Sequence, residues 1–265
     1  MQVSILTYNT HGLPWSRDES KAIARWLPSC GASVICLQEV FTEQRRNVYE
    51  SQLNLEGYRV IRPRDTGVAW LSSGLLTAYL EKDFTYISDC FCSFNDIHDV
   101  EFWANKGFHV LRLIHKTDGR RIAMINTHTQ SDNELIWFFG KAKMDKIRFN
   151  QFDQILRFMS DVTYPVLVAG DLNCELSPHP HLRFLHPITG NLVRKCTFYR
   201  TGEDLDHVAW LPLQWARPGC HFCDVVTRGP IMELCMVFQK PWSDHAPVYI
   251  RLRLPPLITK PEVRK

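Results

Sequence analysis

The chain has 265 residues, 45% of them hydrophobic and 22% charged, with a formal net charge of +3. That is the composition of an ordinary globular protein long enough to bury a full core, and no low-complexity or Gly/Ser-rich stretch interrupts it. The charge is too small for a dedicated nucleic-acid binder, whose basic surface would dominate the sequence, but it leaves room for an anionic substrate at one local patch.

Met1 runs directly into the alternating segment Val3–Tyr8, a strand pattern without the basic start and cleavage site of a signal peptide. Further strand-like runs follow at Val34–Leu37, Gly57–Ile61, Gly74–Tyr79, Phe108–Ile114, Ile122–Asn126, Val166–Ala169, Asp206–Trp210 and Val248–Leu254. Between the first two runs, Ser16 and Glu19 have capping-box spacing ahead of an apolar stripe of Ala22, Ile23, Trp26 and Leu27. A second helix is expected from Thr42 to Leu53. A third is marked by Ile147, Phe149, Phe152, Ile155, Leu156 and Met159, and Tyr164-Pro165 ends it.

This order predicts an α/β fold of two sheets packed face to face with helices outside. One domain over 1–254 with an extended tail at 255–265 accounts for it. No apolar run approaches the roughly 20 residues that span a bilayer. Nine cysteines without regular spacing read as reduced thiols in an intracellular setting. Cys220 and Cys223 have the spacing of half a zinc site, or are plain loop thiols.

Polar residues recur where apolar strands end. Asn9 closes the first run. Glu39 closes Val34-Ile-Cys-Leu-Gln38 and is either a ligand for Mg²⁺, which prefers oxygen donors, or a strand-end acid paired with a surface base. His128 follows Ile122–Asn126, as a phosphate donor or a structural histidine. Gly170-Asp171-Leu172-Asn173 follows Val166–Ala169. There an acid and an amide two positions apart share one face, to position water, metal and phosphate or merely to form an Asx turn. Asp206 opens another strand, and Ser243-Asp244-His245 precedes the last one. Adjacent Asp244 and His245 are placed to divide metal contact from base duty, with Asp206 orienting the His245 imidazole.

The set Asn9, Glu39, His128, the motif at 170–173, Asp206 and the motif at 243–245 resembles the endonuclease/exonuclease/phosphatase superfamily, the DNase I-like phosphodiesterases, in its order and over essentially the whole chain. The resemblance implies a four-layered α/β sandwich and hydrolysis of a phosphoester with Mg²⁺, or Mn²⁺ in its place. It implies metal contact by Glu39, with Asn9 and Asp244 nearby, and water and phosphate positioned by Asp171, Asn173 and His128. His245, paired with Asp206, would be the general base.

Three features resemble the neutral sphingomyelinase branch: His11 with the trailing Leu13-Pro14, Asn126-Thr-His128, and Lys106-Gly107 ahead of a central strand. Lys106 is then a candidate for phosphate contact or for a switch near the site, or else a solvated lysine at a strand entry. Ile136-Trp-Phe-Phe139 followed by Lys141, Lys143 and Lys146, and Trp210-Leu-Pro-Leu-Gln-Trp215, have the chemistry of a bilayer interface or of aromatics packed on the sheet. The expected protein hydrolyses sphingomyelin to ceramide and phosphocholine, in the cytoplasm or peripherally at membranes. The alternatives are a nuclease or DNA-repair phosphodiesterase acting on nucleic acid, an inositol-polyphosphate phosphatase, and an inactive binding module.

Overall fold

The first strand, β1 (Gln2–Asn9), alternates in sequence yet is buried on both faces from Val3 onward. In the computed structural model, which describes residues 1–64, 71–98, 101, 103–132, 141–175, 179, 183–185, 205–211, 230–238 and 240–254, β1 sits inside a six-stranded sheet. That sheet has the order β11 (Ile231–Val237), β12 (Val248–Arg253), β1, β2 (Val34–Gln38), β4 (Leu76–Leu80), β3 (Tyr58–Ile61). The second sheet, also six-stranded, has the order β5 (Phe84–Ser93), β6 (Gly107–His115), β7 (Arg121–His128), β8 (Val166–Asp171), β10 (Asp206–Leu211), β9 (Arg183–Phe184).

Alternation along the strands sorts the core into three apolar layers. Val3, Ile5, Val34 and Cys36 from one sheet meet Ile122, Met124, Leu167 and Ala169 from the other. The opposite faces of the same strands present Leu6, Tyr8, Ile35 and Leu37 to α1 (Ser20–Trp26) and α2 (Glu43–Leu55). On the second sheet, Ala123, Ile125, Val166 and Val168 pack on Phe152, Ile155 and Leu156 of α3 (Lys141–Phe158). Helix, sheet, sheet and helix are thus stacked as expected. Burying one such Ile or Leu is worth about 1.5–3 kcal/mol, so the three layers jointly hold the sheets in register.

The two sheets repeat one plan, although no sequence repeat announces it. From edge to edge, each pairs its strands antiparallel, antiparallel, parallel, antiparallel, antiparallel. The parallel pair in each sheet, β1–β2 and β7–β8, puts two strand C-termini side by side. Asn9 lies against Gln38, and His128 against Asp171.

Several expectations are corrected. The capping box does not form: α1 starts at Ser20, whose amide is taken by Asp18, while Ser16 Oγ donates to His11 O and Leu13 O. Thr42 does cap α2, its Oγ1 accepting from Arg45 N at 3.3 Å. α3 begins at Lys141, well before the apolar stripe, and β7 runs on to include His128 itself. Trp210 is no rim residue: it is 8% exposed within the inter-sheet core. Segments 136–139 and 212–215, Cys220, Cys223 and the tail 255–265 lie outside the described residues. Cys30, Cys36, Cys90, Cys92, Cys174 and Cys235 are all free thiols. No described helix is long and apolar enough to cross a membrane.

Candidate active site

The strand ends Asn9, Gln38, His128 and Asp171, the strand start Asp206 and the loop before β12 all meet at one end of the sandwich. Ser243 ties that last loop down: its Oγ donates to Asn9 O (2.8 Å) and accepts from His245 N (3.1 Å). Two glycines permit the close approaches. A Cβ on Gly12 would lie 2.1 Å from Glu39 O, and one on Gly170 would lie 1.8 Å from Thr127 O. Only glycine lets β8 press against β7 there and bring Asp171 beside His128.

Asp171 is the hub. Asn9 Nδ2 donates to its Oδ2 at 2.9 Å, His128 Nε2 stands 3.5 Å away and His245 Nε2 3.6 Å away. Its other oxygen accepts from Asn173 N at 3.1 Å. Oδ1 thus makes an Asx turn, while Oδ2 faces Asn9, His128 and His245. Asn173 spends one amide proton on Thr129 O (3.0 Å), which leaves the second for a substrate oxygen.

His245 is held from behind. Asp206 Oδ2 lies 2.7 Å from Nδ1, so Nε2 is the nitrogen presented toward Asp171 and Asn9. Burial by itself pulls the His245 pKa down, but the Asp206, Asp171 and Glu39 carboxylates outweigh it and lift the pKa to about 10. His128 goes the other way. Burial first, then the nearby Lys106 ammonium, push it down to about 3, so its ring is neutral. Burial would raise the Asp171 pKa, but His245, His128, the Asn9 hydrogen bond and Lys106 together offset it and keep the carboxyl below its ordinary range.

These opposed shifts give the metal-free protein a pH signature. His245 is raised above its ordinary 6.5, so the stability it adds is complete below that value and is lost as pH climbs toward about 10. His128 is depressed, so its contribution is present above 6.5 and is lost as pH falls toward about 3. In EDTA, His245→Asn is expected to flatten the alkaline fall of the thermal midpoint, and His128→Asn the acid fall. A scan from pH 4 to 10 that each variant leaves unchanged in slope would contradict the two assignments.

Glu39 has left-handed backbone (φ 58), and its side chain is 15% exposed. Its Oε1 accepts from Asn9 Nδ2 at 2.9 Å, while Oε2 is buried without a hydrogen-bond partner. Burial pushes its pKa up, so as a carboxylate it sits in want of positive charge. Among the described residues no Lys or Arg pairs with it. Instead His11 Nδ1 stands 4.0 Å from Oε2 and 3.2 Å from Asp244 Oδ1, between the two acids. An orphaned carboxylate oxygen with a second carboxylate nearby is an oxygen donor set that suits a hard divalent cation. Asn9 turns its amide nitrogen to Glu39 and Asp171 and its oxygen to His11 N (3.0 Å), so it fixes the acids in place. Asp171, Asp206 and His245 also lie within metal-ligand reach of one another, within 4.8 Å. The 2.7 Å Asp206–His245 contact already accounts for that group as a hydrogen-bonded pair.

A sequence profile of the endonuclease/exonuclease/phosphatase family matches residues 6–245. The chain belongs to that family. This family is one of phosphoester hydrolases, and the gathered residues fall inside the matched span. Sequence comparison with curated proteins finds no match. Among solved structures, sphingomyelinase C from Streptomyces griseocarneus is 21% identical with a TM-score of 0.67, covering 96% of this chain and 100% of that one. A humanized D. rerio TDP2 gives 13% identity and a TM-score of 0.71, covering 96% and 99%. A beta toxin mutant from Staphylococcus aureus, solved with bound magnesium ions, gives 16% and 0.68, covering 94% and 99%. At these identities the likeness is one of fold.

Within this family member, Lys106 is no solvated strand-entry residue. It is 3% exposed, and its ammonium donates to Glu101 Oε1 and to Thr129 O, both at 2.7 Å. Glu101 also takes Ser131 N (3.1 Å) and Ser131 Oγ, so it pins the chain just after His128. Two of the three Lys106 ammonium protons are used by Glu101 and Thr129 in this way. Glu101 escapes a sequence reading because it ends no strand and fits no motif. His11, which the sequence marks as a feature of the resemblance and not as a site residue, contacts Asp244 and Glu39.

Proposed function

We propose that the protein is a divalent-metal-dependent phosphodiesterase that hydrolyses sphingomyelin to ceramide and phosphocholine. The observation that carries the hydrolytic part is the aim of His245, with Nδ1 held by Asp206 and Nε2 presented to the space beside Asp171. Glu39 and Asp244 would hold Mg²⁺, or Mn²⁺. A cation there would supply positive charge beside the phosphoryl oxygens and leaving alkoxide and offset the carboxylates that keep His245 protonated. His245 Nε2 then takes the proton of the attacking water, and the P–O bond to the ceramide oxygen breaks as the new P–O bond forms. Asp206 steadies the imidazolium that results, and the proton is passed on to the ceramide oxygen. Neutral His128 and the second amide proton of Asn173 are the donors toward the phosphoryl oxygens.

The lipid substrate is supported by the rim. Trp15, on the loop after β1, is 78% exposed, and Trp103, just before β6, is 64% exposed. Both loops leave from the site end, and exposed indoles there suit a headgroup layer. Lys146, early in α3, lies over the Phe149 ring, 5.1 Å from its centroid. Peripheral membrane contact follows from this reading.

The test is a parallel assay on sphingomyelin vesicles, abasic DNA and an inositol polyphosphate, each with Mg²⁺ and with EDTA. Choline phosphate released only from the vesicles, and only with Mg²⁺, is the expected result. Cleavage confined to DNA would make the protein a nuclease with the same machinery, and that activity would fall steeply with salt.

A further inference from the structure

Between the sheets, one place near the site is polar where the remainder is apolar. Asn126, fully buried on β7, donates from Nδ2 to Leu37 O (3.1 Å), Leu76 O (3.0 Å) and Thr77 Oγ1 (3.2 Å). Its Oδ1 accepts from Gln38 Nε2 at 2.8 Å. Leu37 and Leu76 form the last pair of the β2–β4 ladder, so an amide from one sheet caps the end of a ladder in the other. Gln38 is tied in turn to Thr7 Oγ1 (3.2 Å) and Cys36 O (3.2 Å), and Thr77 Oγ1 continues to His109 Nδ1 (2.9 Å). Every named group finds a partner, as a buried polar cluster must if it is not to destabilise the fold.

We propose that Asn126 is a positioning residue which holds the end of β2, and so Glu39, across from His128 and Asp171, and thereby sets the affinity of the site for a divalent cation. The argument is one of placement. Asn126 grips Leu37 and Gln38, the two residues that lead into Glu39, whose left-handed backbone has no strand ladder of its own to fix it. Along its own strand it stands two residues before His128, on the same face. Apolar packing between sheets resists separation but is non-directional and leaves a sliding degree of freedom. The two Nδ2 protons, shared among Leu37 O, Leu76 O and Thr77 Oγ1, and the Oδ1 acceptor remove it where the two halves of the site must meet.

The inference rests on the metal reading of Glu39, and the experiment separates the two. Mn²⁺ binding is measured by calorimetry on the wild type, Asn126→Leu, Asn126→Ser and Val110→Ala, each at a temperature where it is fully folded. Val110→Ala is the control, a core truncation under α3 that destabilises without touching the site. Asn126→Leu is expected to weaken Mn²⁺ binding by about tenfold or more, the usual loss when a partner that orients a metal ligand is removed. Its kcat on soluble bis(p-nitrophenyl) phosphate falls while KM stays near wild type, and Val110→Ala keeps wild-type affinity at a comparable loss of thermal midpoint. If Asn126→Leu does not fold, Asn126→Ser, which keeps a small donor and acceptor, carries the same expectation at smaller size. Wild-type Mn²⁺ affinity in the folded Asn126 variants, or an equal loss in Val110→Ala, overturns the positioning role. A wild type that binds no Mn²⁺ overturns the metal reading and this inference with it.

Discussion

His245→Ala is expected to lower turnover on a phosphodiester by about 10³-fold, within the 10²–10⁴ that a well-placed general base contributes, with KM little changed. The size follows from the geometry. Asp206 holds Nδ1, and Asp171 and Asn9 fix where Nε2 points. Asp206→Asn is the companion variant. It keeps a hydrogen-bond partner at Nδ1 but removes the largest contribution raising the His245 pKa. Its pH–rate profile should therefore shift to lower pH as its rate falls. Steady-state kinetics on a soluble phosphodiester across pH 5–10 reads both effects. A His245→Ala enzyme within tenfold of wild type would remove His245 from the mechanism.

Much of this site is legible in the sequence because of where apolar strands stop. β1, β2, β7 and β8 are buried on both faces, so their ends are sharp: Leu6 to Tyr8 gives way to Asn9, and Ile35 to Leu37 to Gln38 and Glu39. The strands that escape, β5, β9 and β11, lie at sheet edges. β5 and β11 are only partly buried, each carries a register shift, at Tyr86/Ser88 and Met232/Leu234, and β9 is two residues long. An edge strand need satisfy only one neighbour, so its side chains lose the alternation that marks a strand. Glu101 and Asn126 are hidden for another reason. Their roles exist only between segments distant in sequence, Glu101 with Ser131 and Asn126 with Leu37 and Leu76. A polar residue in a strand, as Asn126 is after the apolar Ile122–Ile125, signals an exception without naming its partner.

Glu39→Gln should do two opposite things. In EDTA it is expected to leave the fold as stable as the wild type or make it more so. In Mg²⁺ it is expected to lose activity by about 10³-fold, the equivalent of several kcal/mol of charge stabilisation at the phosphoryl group. Burial raises the Glu39 pKa above its ordinary 4.5, so what it adds to stability is present only below that value and is lost as pH rises through the folded pKa. At neutral pH the metal-free carboxylate is therefore a cost to the fold. Glutamine matches its shape and still accepts from Asn9 Nδ2 through its own oxygen, and nothing charged is left unpaired at Oε2. The same change removes the charge that a cation would neutralise, so the rise in thermal midpoint that Mg²⁺ gives the wild type should vanish in the variant. Melts of both proteins with EDTA and with Mg²⁺ separate these terms. A Glu39→Gln protein that still gains stability from Mg²⁺ would move the ion to Asp171, Asp206 and His245. A variant less stable in EDTA would mean that His11, not a metal, is the partner for which Glu39 is placed.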